Sequence, residues 1–150
     1  MREAQVVGAH LKIAVEDLLS AAKLGSRDRN AVQMLFQAAE NILMAVFTSE
    51  GIDAAALRRT IGNHQLAAMI DHLPEECGVK ADLESVSILE AYATTYRYPS
   101  PSGRVADAPD AEDFEAWLDI LKDLSGRLCR HFRVDVKVDS PAAQNLEPIR

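Results

Sequence analysis

Cysteine, aromatic side chains and positive charge are all scarce in this chain, and each scarcity excludes something. The two cysteines, Cys77 and Cys129, form no C-x-x-C pair, so no dithiol redox motif is available. Lys and Arg total 16 against 23 Asp and Glu, a net charge of −7. Broad, sequence-blind binding to nucleic acid or to an anionic membrane needs the opposite balance, so any polyanion must meet a local basic patch. No stretch approaches the ~20 apolar residues of a spanning helix. The opening "MREAQVVGAHLKIAVEDLL" is charged throughout and has no signal-peptide core. The expectation is a soluble cytoplasmic protein with free thiols; a Cys77–Cys129 disulfide would be unusual there. Zinc spacing, a P-loop and a glycine-rich dinucleotide loop are also missing; "GVKADLES" lacks the phosphate-cradling glycines. Neither a metal nor a cofactor is expected.

What remains is helical. With 150 residues, 48% of them apolar, the chain suits one domain with a core that needs no staples. From about Ala4 to Leu24, Val7, Leu11, Ala14, Val15, Leu18, Ala21 and Ala22 recur at helical spacing, and Gly25 follows as a C-terminal cap. In "DRNAVQMLFQAAENILMAVFTSEG" the stripe Val32, Leu35, Phe36, Ala39, Ile42, Leu43, Val46 and Phe47 predicts a long central helix ending at Gly51. Ser26 or Asp28 caps its start. Ala54 to Arg59 extends as helix until Gly62, and Asn63 caps a short helix from His64 to Leu73.

A fourth long helix is predicted from about Ala81 to Thr95, closed before Pro99 because proline pushes Tyr98 out of the helical region. Asp110 opens the last helix, with Phe114, Trp117, Leu118, Leu121, Leu124 and Leu128 inward. The predicted fold is all-α: an antiparallel up-and-down bundle of four long helices plus one short helix, over residues 4–132. Residues 133–150 read as a tail, extended or disordered. There Val134, Val136 and Val138 alternate with charges, as in an arm laid on a partner subunit.

The aromatics are not spread evenly. All three tyrosines fall in "AYATTYRYPSPSGR", with Tyr96 and Tyr98 on either side of Arg97. Phenol rings and a guanidinium plane can stack a nucleobase, and arginine grips phosphate with two donors. Tyr96, Arg97, Tyr98 and Arg104 are therefore candidate ligand-binding residues. The plainer reading is that the tyrosines pack on the helix and Arg97 caps its end or pairs with an acid such as Glu40.

The run "AVQMLFQAAENILMAVFTSEG", the short helix opening at "NHQLAAMI" and the terminating "TTYRYPS", in that order, resemble the HEPN domain, most closely its branch with an AAE-type second helix and a YRYP loop. The resemblance covers about Ala4 to Phe132. It implies a helical bundle that dimerises. It also implies one of two roles: a metal-independent ribonuclease, often the toxin of a toxin–antitoxin pair, or a non-enzymatic partner of a small nucleotidyltransferase that binds nucleotide or RNA. Glu40 matches the family's acidic position and is added to the ligand-binding set, although Asn41 stands where lysine is common.

Catalytic members carry Arg, four to six residues, then His, the Arg stabilising phosphorane charge and the His moving a proton. "RTIGNH" supplies Arg59 and His64 as catalytic candidates. That string straddles Gly62 instead of opening a late helix, and His64 also fits the H-x-L start of the short helix. Arg127 and His131 lie one turn apart and miss the spacing, and dipole compensation at a helix end explains them. The leading expectation is a non-enzymatic homodimeric domain binding a nucleotide, an RNA end or a nucleotidyltransferase. The alternatives are an endoribonuclease toxin and a plain interaction scaffold.

Overall fold

The structure, a computed structural model, describes residues 2–93, 95–136 and 146–150. It is all-helical, with no strand among the described residues. Three long helices are α1 (Arg2–Leu24), α2 (Ala31–Glu50) and α6 (Ala111–His131), and the short ones are α3 (Ala54–Ile61), α4 (Leu66–Ile70) and α5 (Lys80–Ser85).

Alanine, leucine and phenylalanine make α2 the centre. Twelve of its residues are buried, from Ala31 to Phe47, and α1, α6 and the segment after α5 all pack on it. By length and composition α2 could cross a membrane, but 67% of that window lies inside the fold, as in a core helix. The helix stops expected at Gly25, Gly51 and Gly62 all occur. Gly25 adopts φ 81° and Gly51 φ 74°. The Gly51 N–H reaches back to the Phe47 and Thr48 carbonyls, a left-handed cap that glycine adopts at little cost.

The N-terminal caps differ from expectation. Neither Ser26 nor Asp28 caps α2 directly: Asn30 holds that position, and Asp28 instead accepts from the Asn30 N–H at 2.8 Å. The short helix starts at Leu66, not His64, and Asn63 is not its cap. His64 takes a left-handed φ of 60°, which a helix cannot continue.

The expected fourth long helix, Ala81 to Thr95, is built in pieces. α5 gives way to a 3₁₀ segment, Ser87–Tyr92, and another, Thr95–Arg97. Ser85 Oγ donates to the Asp82 carbonyl and Ser87 Oγ to that of Glu84, and β-branched Val86 lies between them. These hydroxyls compete for helical carbonyls, and the chain tightens to i+3 bonding, as in Leu89 N–H to Val86 O. Apolar spacing alone could not separate the two helical pitches.

Past α6 the chain turns at Phe132, and Val134 is buried. Residues 146–150 lie against the bundle, with Leu146 and Ile149 packed on the core. Val138, the third valine of the expected arm, lies outside the described residues. Cys77 and Cys129 are free and buried.

Candidate functional site

A broken helix leaves carbonyls without partners, and here two side chains of the α2 start supply the donors. Gln33 Nε2 donates to the Tyr92 carbonyl. Arg29 donates to the Tyr96 carbonyl at 2.5 Å and to that of Ala106 at 2.7 Å. The Arg29 guanidinium also lies over the Tyr96 ring, 4.1 Å from its centroid. Tyr96 meets Tyr92 edge-on at 5.1 Å, and Tyr92 meets Trp117 at 5.9 Å. Tyr92 and Tyr96 are thus part of an aromatic stack held under one arginine. Burial pushes the Tyr96 phenol above its ordinary ionisation range, only partly offset by Arg29; burial raises Tyr92 likewise.

Tyr96–Tyr98 is flanked by two recesses. The first, about 520 Å³, is lined by Arg29, Asn30, Gln33, Gln37, Tyr96 and Arg97, with Leu24 and Met34. The second, about 710 Å³, is lined by Tyr98, Pro99, Ser100, Pro101, Arg104, Val105, Ala106 and Asp107. The first carries two guanidiniums and three carboxamides; in the second, two prolines, Val105, Ala106 and the Tyr98 phenol stand beside Ser100, Arg104 and Asp107. Arg97 is exposed at the rim and its Cζ stands 5.9 Å from the Tyr98 ring centroid, so one side chain belongs to both neighbourhoods.

A closed turn holds Arg104. Ser100 N–H donates to the Arg104 carbonyl, Arg104 N–H to Ser100 Oγ, and Gly103 occupies φ 83° at the tip. Of the five expected ligand-binding residues, the structure brings Tyr96, Arg97, Tyr98 and Arg104 to these two recesses. The fifth, Glu40, lies one turn beyond Gln37 and faces His64, at 3.2 Å from Nδ1. It is therefore not the acid that holds Arg97.

Arg59 is exposed on α3, and no hydrogen bond or ion pair joins it to His64 among the described residues. The His64 ring stands against Phe36, centroids 5.8 Å apart. Arg127 is engaged by Asp82 of α5 at 2.5 Å and by Asp123, one turn earlier on its own helix, at 3.0 Å. His10 pairs with Asn41 at 2.7 Å. No cluster of three His, Cys, Asp or Glu able to hold a metal occurs among the described residues.

Sequence reading missed Arg29 and Gln33. The one available signal was the basic pair flanking Asp28 in "GSRDRN", next to a helix start. The first recess can hold an anion between Arg29 and Arg97, with amide donors beside it; the second offers an apolar wall to a planar group. No protein-family model, curated protein or solved structure matches the chain.

Proposed function

We propose that this chain is an HEPN-like domain that binds a nucleotide or RNA end at the Tyr96–Tyr98 segment without cutting it. On this reading α1, α2 and α6 pack as an antiparallel up-and-down bundle, with residues 80–97 in the place of the fourth helix. One observation carries the binding part: Arg29 and Arg97 line the same 520 Å³ recess, directly beside an apolar one bounded by Tyr98. Phosphate would lie between the guanidiniums, and the base would stack on Tyr98 with Arg104 at the edge. A net charge of −7 makes this patch, not the bulk field, responsible for attracting the anion. The ribonuclease alternative receives no support from Arg59 and His64, which no hydrogen bond or ion pair joins among the described residues. A small nucleotidyltransferase stays part of the proposal as the protein partner.

The test is a thermal-shift titration. Millimolar ATP should raise the melting temperature, since a ligand at 100 times its Kd stabilises by about 2.7 kcal/mol. Arg97→Ala should abolish that rise while melting at the wild-type temperature without ligand, because Arg97 is exposed. If no nucleotide shifts the wild type at millimolar concentration, the binding reading fails.

A further inference from the structure

The two recesses beside Tyr96–Tyr98 differ in charge. Arg29 and Arg97 are the charged residues lining the first, and no acid joins them there. The second carries one charge of each sign, Arg104 and Asp107. A carboxylate repels phosphate. A nucleotide laid across both recesses therefore has one direction, with its phosphates in the first and its base in the second.

Arg104 and Asp107 share a recess without pairing. Among the described residues no hydrogen bond or ion pair engages either side chain. Their backbone, in contrast, is fixed. Ser100 N–H donates to the Arg104 carbonyl at 2.8 Å, and Arg104 N–H donates to Ser100 Oγ at 3.0 Å. Arg29 holds the carbonyl of Ala106, one residue before Asp107, at 2.7 Å. An arginine of the first recess thus anchors the acid-bearing edge of the second. The carbonyls of Arg104 and Ala106 already accept, which leaves the Asp107 carboxylate as the charged acceptor. A site set in advance loses less to ordering when a ligand arrives.

A flat ligand that answers this pair needs two adjacent N–H donors for the carboxylate and two adjacent acceptors for the guanidinium. Among the common bases, guanine has both. Its N1–H and 2-amino group lie side by side, two donors for two carboxylate oxygens. Its O6 and N7 lie side by side, the pair that arginine takes with two donors. Adenine offers the carboxylate its 6-amino group alone and gives the guanidinium no such pair. The Tyr98 ring, 66% exposed, supplies the stacking face.

We propose that the Tyr98–Asp107 recess selects guanine, with Asp107 accepting from N1–H and the 2-amino group and Arg104 donating to O6 and N7. This rests on the nucleotide-binding reading and narrows it to guanine nucleotides, free or at an RNA end.

The test is a calorimetric titration of the full chain with GTP, ITP and ATP. GTP should bind about tenfold or more tighter than ATP, the discrimination of one good two-pronged contact. ITP, which keeps O6, N7 and N1–H but lacks the 2-amino group, should fall between them. Asp107→Asn should erase the preference, because a carboxamide cannot accept from both donors. Asp107 is exposed and unbonded, so that variant should melt as wild type does. A short RNA with a 5′-triphosphate guanosine, set against the same RNA beginning with adenosine, tells an RNA end from the free nucleotide. Preference for guanine in either form supports the assignment. Equal binding of both bases in both forms, or a preference that survives Asp107→Asn, overturns it and leaves the nucleotide-binding reading standing. Failure of every nucleotide and RNA to bind overturns both.

Discussion

Arg29 bonds to the carbonyls of Tyr96 and Ala106, 67 and 77 residues away in sequence. Those separations explain why reading along the chain could not find it: nothing local marks an arginine that caps a distant broken helix. Tyr96, Arg97 and Tyr98 were legible because their identities alone, three ring or guanidinium planes in a row before a proline, are unusual in an aromatic-poor chain. What the sequence concealed was their division of labour. Tyr96 faces inward beneath Arg29, Arg97 sits at the rim, and Tyr98 is 66% exposed. Removing Arg29 therefore costs two carbonyl partners and a ring contact together. Arg29→Ala should destabilise by about 2 kcal/mol or more, a drop of roughly 5 °C or more in Tm for a domain this size. Arg29→Lys should recover only part of it, since a point charge cannot span both carbonyls in the same geometry. Calorimetry on the two variants measures the difference.

Helices α1, α2 and α6 were legible because each carries a sustained apolar stripe and lies between recognisable stops. The segment from 80 to 97 was not. Leu83, Val86 and Leu89 recur every three residues, a spacing compatible with either pitch, and Ser85, Ser87 and the donors on α2 decide between them. α3 is the opposite case. None of its residues is fully buried, and only Ala54, Leu57 and Ile61 pack partly on the core, so its hold on the helical state leans on local bonds. Its cap is Asp53, whose carboxylate accepts the Ala56 N–H at 3.0 Å. Asp53→Ala should cost about 1 kcal/mol of local stability, some fivefold faster amide exchange across residues 54–61. The global melting temperature should scarcely move. Exchange that stays unchanged in α3 would mean that packing, not the cap, sustains it.

Across the whole molecule, the perturbed groups of the alkaline range agree in sign. Burial raises the thiols of Cys77 and Cys129 and the phenols of Tyr92 and Tyr96, and a hydrogen bond to Glu75 raises the Lys80 ammonium. In each, the folded protein holds its proton more tightly than the unfolded chain. Their stabilisation is complete below the unfolded ionisation values and is lost as pH climbs past them. The urea midpoint should accordingly begin to fall near pH 8, where the unfolded thiols start to ionise, and more steeply above about pH 9, where the phenols and Lys80 join them. A midpoint rising through the alkaline range would contradict the burial of this set. The ring stack has an optical consequence. Trp117 is the chain's sole indole and lies 5.9 Å from Tyr92, which touches Tyr96 in turn. The protein thus carries an intrinsic fluorophore wired to the wall of the candidate recess. Tyrosine excitation will drain into that single emitter, and its colour and intensity will report any molecule that disturbs the stack, with no label attached.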